Sequence, residues 1–272
     1  MIKKTGLRVF ALACHPDDIE FMMAGTLFLL KEAGCELHYM NLANGSCGTT
    51  ELRAEEIVRI RRGEAERAAT VLGAVFHESL ANDLEVFYTQ DLIRRVTAVI
   101  RQVKPDILLI PSPEDYMEDH MNTSRIAVTA AFCRGVPNYR TIPEEPPIRR
   151  DITLYHALPY GLVDGLERPV KPGFYVDITR VIGKKRDMLA CHESQKKWLD
   201  ESQGLDAYLD TMREMSETVG KMSGKYRKMS GKYRKMSGRY RYAEGWRRHS
   251  HLGYSAEKID PLGGLLKEYI SA

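Results

Sequence analysis

Short apolar runs rich in β-branched and aromatic residues alternate along this chain with longer stretches whose apolar positions recur every three or four residues. Leu7 to Cys14 reads as a strand, Asp18 to Ala33 as a helix and Cys35 to Leu42 as a second strand before the loop NGSCGTTE. Glu51 to Gly73 is a long helix with Ile57, Ile60, Ala68, Val71 and Leu72 roughly on one face. Asp91 to Val103 is another helix, and DILLIPSP after it is a buried strand. Ser124 to Arg134 reads as helix, DITLYHAL and FYVDI as strands, and Thr179 to about Met222 as mostly helical. This alternation predicts an α/β fold, Rossmann-like, with a mainly parallel sheet and helices on both faces. Ligands in such folds bind at the carboxyl ends of strands. ALACHPDD and LLIPSPEDYMEDH both place their polar residues there.

One stretch breaks the pattern. Residues 221–241 are three copies of a heptad, KMSGKYR, KMSGKYR and KMSGRYR. Met222, Tyr226, Met229, Tyr233, Met236 and Tyr240 alternate spacings of four and three, the stripe of a helix extended by duplication. A glycine in each heptad opposes that helix by about 1 kcal/mol relative to alanine. The expected division is therefore a domain over 1–220, a basic heptad insertion over 221–241 read as helix, and 242–272 completing the same domain.

The repeat also explains the charge. The chain has 40 Lys and Arg against 37 Asp and Glu, a net charge of +3. Nine of those bases and no acid lie in 221–241, so the remainder is net negative. Basic residues interleaved with tyrosine allow a nucleic-acid contact, although helix extension or contact between subunits fits the stripe better. Five cysteines without CxxC spacing point to reduced thiols and a cytoplasmic enzyme rather than a disulfide framework. No apolar run approaches the ~18 residues of a membrane helix.

The chemistry concentrates in ACHPDDIE. Pro16 suits a first helical turn, and Asp17 and Asp18 near a helix N-terminus are explained by capping alone. Capping leaves His15 unexplained. Imidazole and carboxylate suit zinc, which in catalytic sites takes three protein ligands and keeps a position for water. His15 and Asp18 can converge on one ion across a tight turn. His120, behind Asp119 at the same sheet edge, is the candidate third ligand. Asp17 then remains free beside the metal, as a general base requires.

These residues resemble the LmbE-like (PIG-L) family of zinc-dependent N-acetylglucosaminyl deacetylases. HPDD follows the first strand and a DH motif comes later. NGSCGT follows the second strand, and Arg61, Glu64, Leu72 and Gly73 match an R-x-x-E…LG helix. His192, Ser194 and Gln195 match H-x-S-Q, and Glu244, Gly245 and Trp246 a late E-G-aromatic motif. Five weak motifs in the expected order make one strong signal. The resemblance implies Zn2+ held by His15, Asp18 and His120, with Asp17 as general base in removing an acetyl group from an N-acetylated sugar or sugar conjugate. It also implies that Arg61 positions substrate and that Asp119 orients a ligand. Family members often assemble, so a homo-oligomer acting on a small molecule is expected, with nucleic acid and membrane outside its partners.

One position departs from the family. Many members carry a histidine where this chain has Met117, and methionine neither donates a proton nor carries charge. His192 is a candidate substitute. Tyr116 either reaches a substrate oxyanion or packs on the strand. The alternatives are a hydrolase of the same fold acting on another amide or ester, and a carbohydrate-binding protein whose catalysis is weakened. Two nitrogens and a carboxylate also accept other divalent transition metals. His156 reads as structural, and His249 and His251 as solvated or at a subunit contact. The loops at 44–54, 134–148 and 157–173 are expected to shape the pocket.

Overall fold

A computed structural model describes residues 5–197, 208–224, 226–229, 232–235 and 240–271, with only the backbone of the strands at 226–229 and 232–235. The chain runs through β1 (Arg8–Ala13), α1 (Asp18–Met22), α2 (Ala24–Glu32), β2 (Glu36–Asn41), α3 (Ala54–Leu72) and β3 (Val75–His77). It continues with α4 (Gln90–Val103), β4 (Ile107–Ile110), α5 (Glu118–Cys133), β5 (Thr153–Ala157), β6 (Phe174–Asp177) and α6 (Ile182–Leu189). Then come α7 (Tyr208–Met222), β7 (Tyr226–Met229), β8 (Lys232–Lys235), β9 (Ala243–Arg248), α8 (Pro261–Leu265) and β10 (Ile270–Ser271).

Eight strands form one sheet in the order β10-β6-β9-β5-β4-β1-β2-β3. The pairs from β3 across to β5 are all parallel, whereas β9 runs antiparallel to both β5 and β6. Alternation along β1 shows why helices cover both faces. Val9, Ala11 and Ala13 pack with α2 and α3, while Phe10, Leu12 and Cys14 pack with α4 and α5. A strand buried on both sides has no polar face, hence the near-continuous apolar runs in the sequence. The strand order reverses between β1 and β4, so their carboxyl ends open the crevice in which such folds bind ligands.

Several expected helices change at their ends. The helix expected over 18–33 is broken at Met23, and α2 restarts with its N-terminus on a buried carboxylate. Glu244 Oε1 and Oε2 accept the N–H groups of Gly25 and Thr26 at 2.8 and 2.7 Å. Lys185 neutralises Glu244 from α6 at 2.7 Å, and Trp246 donates to Thr26 Oγ1 at 3.0 Å. The late Glu-Gly-Trp motif therefore ties β9 to α2. α3 stops at Gly73, whose φ of 70° favours glycine. α5 starts six residues earlier than expected, which puts Asp119 and His120 in its first turn. The helical expectation over 179–222 holds for α6 and α7, and residues 198–207 lie outside the described residues.

The repeat is a correction. Its backbone forms an antiparallel pair, with Tyr226 opposite Lys235 and Met229 opposite Lys232, instead of a longer helix. Glycine recurring every seven residues penalises helix, and the two-residue spacing between the strands suits a hairpin. A spacing of four and three defines a single face only in a helix, because a strand alternates sides every residue.

Candidate metal centre

β1 delivers His15 to the crevice, and the HPDD turn folds Asp18 back onto it. Asp18 Oδ2 accepts the N–H of His15 at 2.7 Å and of Cys14 at 3.2 Å. Asn41, at the end of β2, donates to the His15 carbonyl at 2.6 Å. Asp17 pays for this tight turn with a φ of 114°, rare for a residue with a side chain. From the other side of the crevice, Asp115 Oδ1 accepts the N–H of Met117 at 3.1 Å and fixes the start of α5.

Each histidine is oriented by a carboxylate. His120 Nδ1 lies 3.1 Å from Asp115 Oδ1, and His15 Nε2 lies 3.2 Å from Asp119 Oδ2. With those nitrogens donating, the remaining lone pairs are on His15 Nδ1 and His120 Nε2, which face each other at 3.2 Å. Asp18 Oδ2 completes the triangle, 3.7 Å from the first and 3.4 Å from the second. Tetrahedral coordination with bonds of about 2.1 Å puts ligand atoms about 3.4 Å apart. Two facing lone pairs and a carboxylate call for a positive centre between them, so this donor set fits a divalent cation.

The electrostatics agree. Burial opposes charge on both histidines, yet His15 is raised well above the ordinary imidazole value by Cys14, Asp119 and Asp18, and His120 is raised by Asp18 and Asp115. Burial also opposes ionisation of Asp18, but His120 and His15 hold its carboxyl well below the usual range. Asp17 behaves in the opposite way. Burial pushes it up to about 6 against the pull of the Arg61 guanidinium. Adjacent carboxylates in the sequence are thus separated by environment, one ionised among imidazoles and one held as a weak acid.

A cavity of about 370 Å3 opens over this centre, lined by His15, Asp17, Asp18, Arg61, Tyr116 and His120 among others. Arg61 is buried, donates to the Pro16 carbonyl at 2.5 Å and stands 3.7 Å from Asp17 Oδ1. Gly48 makes room for it, since a Cβ there would collide with the guanidinium. Tyr116 is exposed at the cavity, its ring edge-on to His120 with centroids 5.7 Å apart. Met117 also lines the cavity.

His192 does not take the place of the missing histidine. It is wholly buried outside this cavity, with Nε2 3.4 Å from Glu20 Oε1. Ser194 of the same motif is structural too, donating through N and Oγ to Glu64 at 2.8 and 2.6 Å, whereas Gln195 lines the cavity. Of the three loops expected to shape the pocket, those holding Cys47 and Tyr160 contribute, but 134–148 does not. Arg101 holds that loop, donating to the carbonyls of Arg134, Val136, Tyr139 and Glu145. His156 and His249 pair at 2.9 Å beside a separate cavity.

Sequence reasoning missed three contributors: Asp83, Asp115 and Tyr208. Asp83 accepts the N–H groups of Gly45 and Cys47 and so folds the glycine loop, while Asp119 accepts that of Leu84. Asp115 was visible as one acid among several, without a sign that it faces His120. Tyr208 donates to Asp17 Oδ2 at 2.7 Å from a helix 191 residues away, and nothing in its local sequence marks it.

Comparison with known proteins decides the family. The family model described as GlcNAc-PI de-N-acetylase, PIG-L, matches residues 10–131. Diacetylchitobiose deacetylase of Thermococcus kodakarensis is 30% identical over 195 residues, 69% of this chain and 70% of that protein. The chain belongs to the PIG-L family. A second relative, 4-oxalmesaconate hydratase of Pseudomonas putida, is 26% identical over 68% of this chain and 72% of that protein. In fold, the chain is similar to N,N'-diacetylchitobiose deacetylase from Pyrococcus horikoshii, with a TM-score of 0.71 and 24% identity over 95% of this chain and 89% of that one. The 4-carboxy-2-hydroxymuconate hydratase of Pseudomonas putida gives 0.70 at 20% identity, over 93% of this chain and 100% of that one. Deacetylases and a hydratase thus share this architecture. Among the described residues, no helix is long and apolar enough to cross a membrane.

Proposed function

We propose that this protein is a metal-dependent deacetylase that hydrolyses the acetamide of an N-acetylated amino sugar to the free amine and acetate. The observation that carries this reading is the triangle of His15 Nδ1, His120 Nε2 and Asp18 Oδ2 with Asp17 beside it. Those three residues hold the cation, Zn2+ being the ion their nitrogen and oxygen donors suit. Once bound, it polarises the acyl carbonyl and acidifies a water. Asp17 takes the proton of the attacking water and returns it to the leaving nitrogen, a double duty suited to a carboxyl near pKa 6. Asp115 and Asp119 keep the two imidazoles in the tautomers that expose lone pairs to the cation. Arg61 steadies the turn that carries Asp17, and Tyr116 offers its ring at the mouth of the cavity.

Met117 favours a second reading. It puts a thioether in the cavity where a proton donor would assist departure of an amine, leaving Asp17 as the acid–base group. Addition of water to a carbon–carbon double bond needs no amine leaving group, and one relative is a hydratase. Metal content and amine release from N-acetylglucosamine and N,N'-diacetylchitobiose, for wild type and Asp17→Asn, separate the readings. Deacetylation predicts one metal per chain in both proteins and amine release in wild type alone. Bound metal with no amine from any N-acetylated sugar overturns it in favour of hydration.

A further inference from the structure

We infer that Tyr208 is a positioning residue for Asp17, holding one carboxylate oxygen so that the other is presented for proton transfer. This inference rests on the reading of Asp17 as the general base. The Asp17 side chain stands on a backbone turned to φ 114°, and it has few restraints. Its contact with Arg61, at 3.7 Å, is too long for a hydrogen bond. The Tyr208 hydroxyl, by contrast, donates to Oδ2 at 2.7 Å, inside a buried environment where such a bond to a charged group is strong. Oδ1 is the oxygen left to accept a proton.

The ring is held independently of its hydroxyl. Tyr208 is only 2% exposed, and Phe21 packs edge-on against it with centroids 5.2 Å apart. Phe21 meets Tyr160 in the same way at 5.4 Å, so three aromatic rings back the turn. Tyr208 lines both the cavity over the centre and a second one of about 310 Å3, together with His192 and Leu209. Tyr208→Phe should keep the ring contacts and remove only the hydrogen bond.

The test uses the full-length, metal-loaded protein with N,N'-diacetylchitobiose as substrate. Tyr208→Phe is expected to lower kcat about 10- to 100-fold, the loss of one hydrogen bond to a charged group. KM should stay within about twofold, because the hydroxyl is engaged by Asp17. Metal content and melting temperature report whether the centre and the fold survive. On an Asp17→Asn background, removing the same hydroxyl should cause no further loss. Wild-type kcat in Tyr208→Phe overturns the inference, and so does an equal loss on both backgrounds. If Asp17→Asn itself keeps wild-type kcat, or wild type releases no amine, the assignment of the base fails and this inference falls with it.

Discussion

The HPDD crevice and the heptad repeat both concentrate charge, and they are organised in opposite ways. In the crevice, charges of both signs from β1, the loop after β4 and α5 meet within hydrogen-bonding distance, and each side chain has a named partner. In the repeat, nine bases occur without an acid, and the backbone pairs with itself as β7 and β8. The base of that hairpin is closed: Ser223 Oγ accepts the N–H of Tyr240 at 3.2 Å, across 17 positions of sequence. Opposite charges gathered from distant segments specify one geometry, because each is costly to bury unless its partners are placed. Like charges in a local repeat specify nothing beyond themselves.

The sharpest way to break this comparison is to remove one member of the crevice. His120→Ala leaves two ligands, and activity should fall by at least about 1,000-fold with bound metal lost, as elemental analysis would show. The melting curve should change far less. If metal and activity both survived, the cation would have to sit elsewhere.

A smaller effect is expected where buried charges only hold the scaffold. Glu244→Gln strands the Lys185 ammonium, which is 1% exposed, and should cost about 3–5 kcal/mol. A fall in melting temperature on the order of 10 °C, with unchanged metal stoichiometry, would mark the site as distinct from its support.

The pair of His156 and His249 predicts an acid limb. Burial lowers His156 from 6.5 to about 4, so between those values the unfolded chain binds more protons than the folded one. Stability should be full above pH 6.5 and decline as pH falls toward 4, by about 3 kcal/mol at most from this group. Denaturant midpoints measured across that range should flatten in His156→Gln. An unchanged slope would place the acid sensitivity in other groups.

The least effect is predicted for the largest change in sequence. Deleting 225–238 removes two heptads and joins Gly224 to Arg239, restoring a single KMSGRYR. Ser223 and Tyr240 are already hydrogen-bonded, the approach a four-residue turn requires. The shortened protein should melt within about 2 °C of wild type and keep its kcat within about twofold. A large loss of either would show that the hairpin is part of the working structure.

Much of the molecule was legible before its coordinates. Apolar runs marked the buried strands because a parallel sheet covered on both faces leaves them no polar side, and the order of those runs implied the crevice. His15, Asp17, Asp18 and His120 stood out because strand ends bearing both imidazole and carboxylate have few structural explanations. The conformation of the repeat was misread, since a spacing of four and three fits a helix yet cannot weigh glycine against hairpin pairing.

What the sequence alone determined, then, was most of the elements and the candidate donor residues, both of which follow from local pattern. Tertiary structure alone decided which polar residues serve the site. It sent His192 to Glu20, Glu244 to the start of α2 and Asp115 to His120, and it brought Tyr208 across the chain to Asp17. A hydrogen bond depends on distance and direction between two atoms, and neither is encoded by the neighbours of either residue.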